Sequence, residues 1–208
     1  MTHNARASFA AAAMALLVAA CSGGDATPSS SGAANGCPTS QPAAAAAGTT
    51  RDVTMVTSKG TIVLRLSADL SPIAVGNFLA LVDCGYYNGV IFHRIVPGFV
   101  IQGGDPQGTG MGGPGYSIKD EPVIGSYRRG TLAMARTAAP DSQGSQFFIV
   151  LDDSAAGPLE SARTYAILGE VVSGLDVVDV IAAVERDSGD RPIDPVTIIS
   201  ATSGPSSP

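Results

Sequence analysis

From residue 51 the chain alternates. Val53, Met55 and Thr57, then Ile62, Leu64 and Leu66 beyond Ser58-Lys59-Gly60, take every second position. That is the period of strands with one buried face, and the Gly-containing break predicts a β-hairpin. The period then lengthens: Val75, Phe78, Leu79 and Val82 fall at i, i+3, i+4 and i+7 after Ser71-Pro72 and before Gly85. Ser71 can cap such a helix, Pro72 suits its first position and Gly85 can end it. Short apolar runs follow at 89–92, 99–102, 130–135, 146–151 and 165–171, divided by Gly and Pro. A second helix is predicted from 174 to 184, with Val178, Ile181 and Ala182 on one face, and a last strand at 196–199. Many short strands, two helices and no β-α-β alternation predict a mainly β, closed or nearly closed antiparallel barrel. It forms one domain over 51–203, with 204–208 as a disordered tail.

The chain before residue 51 has another texture. Residues 1–20 carry Arg6, no acid, and an apolar run from Phe9 to Ala20. That run is too short to span a bilayer but suits a signal peptide. Its end, Leu17-Val18-Ala19-Ala20-Cys21, resembles a bacterial lipobox, in which Cys21 becomes lipidated and N-terminal. Ordinary cleavage near Ala20, leaving Cys21 a plain thiol, is the alternative. Residues 22–50 hold one charge and almost no large apolar side chain, so 21–50 is expected to be a lipidated Cys with a flexible linker. A linker of that kind reaches about 30 Å. Cys37 could pair with Cys84 in an oxidising compartment, but the sequence supplies no geometry. The expected location is the cell envelope: exported, on the periplasmic side, and membrane-anchored through Cys21.

Composition removes several alternatives. Eighteen acids against twelve bases give a net charge of −6, which argues against a nucleic-acid partner. The two His, His3 and His93, and the three Cys lack metal-site number and spacing. Gly108-Thr109-Gly110-Met111-Gly112-Gly113 matches the dinucleotide fingerprint, yet Pro114-Gly115 leaves no helix N-terminus to hold a pyrophosphate. It reads as a flexible surface loop. The pairs Asp120-Glu121 and Asp152-Asp153 read as solvated turns, and no GxSxG elbow occurs.

Polar residues set among apolar ones mark the remaining candidate. Arg94 and Gln102 lie in Phe92-His93-Arg94-Ile95-Val96-Pro97-Gly98-Phe99-Val100-Ile101-Gln102-Gly103-Gly104-Asp105. Gly144-Ser145-Gln146-Phe147-Phe148-Ile149 repeats the theme. With the GTGMGGPGY loop and Leu168-Gly169-Glu170-Val171, these motifs resemble the cyclophilins, peptidyl-prolyl cis–trans isomerases, over about Asp52 to Ser200. The N-terminal pattern points to a bacterial exported form of that family. The resemblance implies a closed eight-stranded antiparallel β-barrel capped by two α-helices. It implies Arg94, Phe99 and Gln102 as catalytic residues, Arg94 being the donor and Phe99 part of the proline pocket. Val100, Phe148 and Leu159 complete that pocket, with Tyr165 beside it. Ala135, Thr137, Gln146 and the Gly108 loop border the peptide groove. Phe147 and Phe148 must face opposite sides of a strand, so Phe147 is assigned to the core. His93 is read as structural.

The chemistry fits these residue types. Prolyl isomerisation breaks no bond but must cross an amide rotation barrier of about 18–20 kcal/mol. A fixed guanidinium can donate to the amide nitrogen as it regains its lone pair, while an apolar slot holds the ring. An acceleration of about 10⁵ needs roughly 7 kcal/mol of differential stabilisation. No cofactor or metal enters such a reaction. The expected partners are proline-containing peptides and partly folded exported proteins. The membrane is met only through the lipid anchor, and the protein is expected to be a monomer. A tethered, catalytically idle module gripping proline segments is the rival; intact Arg94 and Gln102 favour the enzyme. Two stretches depart from the family pattern: the loop at Arg136-Thr137-Ala138-Ala139 differs in length, and 157–163 is longer and lacks Trp. Many cyclophilins use that Trp to bind cyclosporin, so weak cyclosporin binding is expected.

Overall fold

The structure is a computed structural model and describes residues 36–207. The expected signal segment 1–20 and Cys21 lie outside the described residues. Among these, eight strands and three α-helices follow in the order β1 (Thr50–Thr57), β2 (Gly60–Ser67), α1 (Pro72–Asp83), β3 (Ile91–Val96), β4 (Val100–Gly103), β5 (Thr131–Met134), β6 (Phe147–Val150), α2 (Ala156–Ala162), β7 (Ile167–Ser173), α3 (Leu175–Ala182) and β8 (Val196–Ser207). The strands close into an antiparallel barrel in the order β1-β2-β7-β5-β6-β4-β3-β8.

Strand parity sorts the side chains into two clusters. Val53, Met55, Ile62, Leu64, Leu66, Ile101, Leu132, Met134, Phe147 and Ile149 point inward, where α1 adds Phe78 and α3 adds Val178 and Ile181. The Phe78 and Phe147 rings meet edge to face at 5.5 Å. Val100, Ala133, Phe148 and Val150 alternate with these and point outward, forming a second apolar cluster with Leu159, Tyr127 and Ile167. The functional surface is built on that outer cluster.

Helix α1 begins where expected but is capped differently. The Ser71 side chain makes no capping bond. The Glu121 carboxylate instead accepts from the Ile73 and Ala74 N–H groups at 2.8 Å each, placing negative charge at the positive end of the helix. Asp120-Glu121 is therefore not a solvated turn. Gly85, at φ 78°, ends the helix. Helix α2 is additional to the two helices expected from the sequence. Pro158 falls in the first turn, where its missing N–H costs no intrahelical bond.

Two expected boundaries move. Residues 204–207 are not a disordered tail: β8 continues to Ser207, with Ser206 paired to Arg51 and Ser203 to Val53. Two residues, Gly204 and Pro205, thus face one in a bulge, the setting in which a strand tolerates Pro. The linker expected over 21–50 is not free from residue 36 onward. Cys37 and Cys84 form a disulfide, the Ala45 N–H donates to Pro72 O at 2.9 Å, and Gly48 N–H donates to Asp69 at 2.8 Å. A disulfide, hydrogen bonds and the packing of the small Ala45 side chain against the core hold this stretch, and little of this registers in apolar content.

Candidate active site

A β-bulge aims Arg94. The β3–β4 register shifts between Phe92 and Arg94, so Phe92 and Ile95 both enter the core although three residues apart. Arg94 is left on the outer face, directly opposite Gln102. Such a bulge commonly re-aims a side chain at a site. Arg94 is 42% exposed, and its Nε stands 4.0 Å from an Asp190 carboxylate oxygen of similar exposure. So long and exposed a contact is weak and leaves the guanidinium donors largely available to a ligand.

On the outer face, where Arg94 pairs with Gln102 and Gln102 with Phe148, the apolar cluster is the candidate proline slot. Val100, Phe148 and Leu159 are its almost wholly buried members, and Phe99, Ala135 and Tyr165 pack against them partly exposed. Phe148 and Tyr165 meet edge to face at 5.4 Å. Tyr127, unassigned from sequence, locks this wall: its hydroxyl donates to Tyr165 O at 2.7 Å. Burial drives its phenol up to about 12, so it stays a neutral donor. Leu159 reaches the slot from α2. Phe147 faces the core, as parity requires.

Next to the slot is a cavity of about 400 Å³ lined by Gln102, Gln146, Ala135, Arg136, Thr137, Tyr116 and the 110–115 loop. A chain of amides fixes one wall. Gln102 Nε2 donates to Gln146 Oε1 at 2.9 Å, and Gln146 Nε2 donates to Gly110 O and Gly112 O at 3.0 and 2.9 Å. Those carbonyls are held by Asp105, which is fully buried. Its carboxylate accepts from the N–H groups of Gln107, Thr109, Gly110 and Gly112 and from the Thr109 hydroxyl. Burial alone would raise this carboxyl, but the bonds from Gln107, Gly112, Thr109 and Gly110 outweigh it and bring it to about 2. The loop is thus pinned rather than flexible. Asp105 closes the sequence motif, yet nothing in the pattern assigned it a task.

Gly108 does not line the cavity. It is buried, with Ile91 Cδ1 3.0 Å from where a Cβ would stand, and its carbonyl accepts from Arg191. Gly110–Gly113 border the groove in its place. His93 packs against Gly110, both ring nitrogens buried without a protein partner. Burial holds its imidazole below the ordinary value; Asp105 opposes this, and Arg191 and Arg94 reinforce it. The ring is a neutral spacer, consistent with a structural role.

Opposite Gln146, Arg136 is only 11% exposed and pairs with Asp120 at 3.0 Å. Its guanidinium also donates to Thr137 O and Ala139 O, curling the 136–142 loop on itself. Thr137 stays exposed on the cavity rim. The arrangement can seat a five-membered ring in the slot, hold an extended backbone along Gln102 and Ala135, and offer one cationic donor to the amide preceding the ring.

Comparison with known proteins bears on residues 52–203, which match the family model "Cyclophilin type peptidyl-prolyl cis-trans isomerase/CLD". The chain is 44% identical over 155 residues to peptidyl-prolyl cis-trans isomerase ppi1 of Schizosaccharomyces pombe, covering 72% of this chain and 97% of that one. It is equally 44% identical over 155 residues to the human peptidyl-prolyl cis-trans isomerase-like 1, covering 72% and 90%. The crystal structure of a Cryptosporidium parvum cyclophilin-type isomerase, determined in the presence of the dipeptide Ala-Pro, superposes with a TM-score of 0.66 at 34% identity, covering 73% of this chain and 97% of that one. These relatives are eukaryotic.

Proposed function

The chain belongs to the cyclophilin-type peptidyl-prolyl cis–trans isomerases, and from that premise we propose that it accelerates X-Pro isomerisation in exported proteins from a lipid anchor at Cys21. Arg94 is the donor to the rotating amide, and Phe99, Val100, Phe148 and Leu159 hold the proline ring. Gln102 bonds the substrate backbone and Gln146 fixes Gln102. The substrates are proline-containing segments of partly folded chains, bound by a monomer.

The observation that carries the export reading is the Cys37–Cys84 disulfide. Disulfides persist in oxidising compartments and are rare in reducing ones. It stands in a chain whose Val18-Ala19-Ala20-Cys21 ends an apolar run. One acyl chain binds a membrane only marginally, so stable anchoring implies multiple acylation. The test expresses the full chain in a bacterium with radiolabelled palmitate and follows detergent partition and isomerase activity together. Wild type should label, partition into detergent and isomerise a proline peptide; Cys21→Ser should lose label and partition while keeping activity. A wholly soluble wild type with a different N-terminus would overturn the anchor.

A further inference from the structure

Residues 36–49 lie outside the stretch matched to the family, yet they are built into this domain. The Cys37–Cys84 disulfide fixes one end of this strap to the C-terminus of α1. Ala45 N–H and Gly48 N–H tie the other end to Pro72 and Asp69. Midway, Gln41 Oε1 accepts from the Lys119 N–H at 2.9 Å. The strap therefore bridges two separate parts of the domain, α1 and the 116–121 segment.

Its approach to α1 is as close as a backbone permits. A Cβ on Gly76 would fall 2.3 Å from Ala43 O and 2.8 Å from Ala45 N, so only glycine admits the strap here. The next residue, Asn77, is fully buried. Its Nδ2 donates to Gly144 O at 2.7 Å, and its Oδ1 accepts from Tyr116 at 2.7 Å. Gly144 and Tyr116 line the cavity beside the proline slot. On the other bridged part, Lys119 precedes Asp120, the partner of Arg136 on the same cavity. Glu121 closes the ring by capping α1. Each element the strap grips thus supports a cavity wall; toward the cluster of Val100, Phe148 and Leu159 its attachments reach Leu70, which packs against that cluster between the gripped Asp69 and Pro72.

We infer that the 36–49 strap, latched by its disulfide, is a positioning element for the cavity beside the proline slot. It sets affinity for peptides long enough to enter that cavity and leaves turnover of those filling only the slot unchanged. This rests on the groove being the peptide site. Opening the latch takes two electrons and two protons from a dithiol, yielding two protein thiols and the cyclic disulfide of the reagent.

The test uses the purified full chain and exchange NMR on two substrates, a blocked Ala-Pro dipeptide and a hexapeptide extended on the N-terminal side of the same Ala-Pro. Three perturbations release the strap: dithiothreitol, Cys37→Ser with Cys84→Ser, and Gly76→Ala. The last favours the helix itself while driving the strap away, so its fold is retained. The expected result is a KM for the hexapeptide raised about threefold or more at unchanged kcat, with dipeptide kinetics unaltered. Equal changes for both substrates, or none for either with Gly76→Ala, would overturn the inference. Failure of unperturbed protein to turn over either peptide would instead overturn the groove assignment beneath it.

Discussion

Asp105→Asn keeps the shape of the buried clasp and removes its charge. The native carboxylate receives four backbone N–H groups and a hydroxyl; an amide keeps one acceptor oxygen and turns two donors toward donors. A carboxyl moved from 3.8 to about 2 on folding contributes about 2.4 kcal/mol at pH 7. Because the folded value is the lower one, this stability is complete above the unfolded value and is lost as pH falls through the folded value. About 1.3 kcal/mol remains at pH 3 and about 0.4 kcal/mol at pH 2. Protonated Asp105 carries, like Asn, one acceptor and one donor-bearing atom, so wild type and variant should converge in acid. Urea unfolding at pH 7 and pH 3 reads the difference, expected at about 2–3 kcal/mol and about half that respectively. KM for a proline peptide should also rise at pH 7, because Gly110 and Gly112 no longer hold Gln146. A difference independent of pH, or none at pH 7, would refute the clasp.

Arg94→Ala should lower kcat/KM by about a hundredfold or more while leaving urea unfolding nearly unchanged, since the side chain is exposed and weakly paired. Arg94→Lys should restore little, because a point charge lacks the planar fork; near-normal activity in the alanine variant would remove Arg94 as donor. Glu121→Gln should cost about 1 kcal/mol in urea unfolding by weakening the cap on α1, and an unmoved midpoint would show the cap to be idle. Cyclosporin should inhibit about 30- to 150-fold less well than it does a Trp-bearing cyclophilin. Exposed Gly157 and Pro158 offer no side-chain donor beside Leu159, a loss of about 2–3 kcal/mol. Nanomolar inhibition in the isomerase assay would contradict this.

What the sequence made legible was whatever repeats at the period of one element. The β1–β2 hairpin, the apolar face of α1 and the opposed Phe147 and Phe148 all follow from spacing. The motifs also placed Arg94, Gln102, Gln146 and Phe148 in one site. What stayed hidden depends on partners far along the chain. Glu121 caps a helix 48 positions away, and Asp105 serves a loop whose composition suggested mobility. Gly108, read as groove lining, proved to be packed under Ile91, because a Gly-rich run does not say which glycine faces out. Residues 36–49 looked like linker because their attachment uses backbone groups, one disulfide and a missing Cβ at Gly76.

The barrel closes through its last strand. β8, beginning at Val196, inserts between β1 and β3, so the strand at the front of the domain stays half paired until the C-terminus has been synthesised. Contacts of such sequence separation carry a high loop-closure cost and form late. A growing chain therefore has no complete barrel to adopt, and an unfinished copy exposes the edges of β1 and β3 to the solvent. Removing β8 by early termination should then yield an aggregating chain rather than a smaller enzyme.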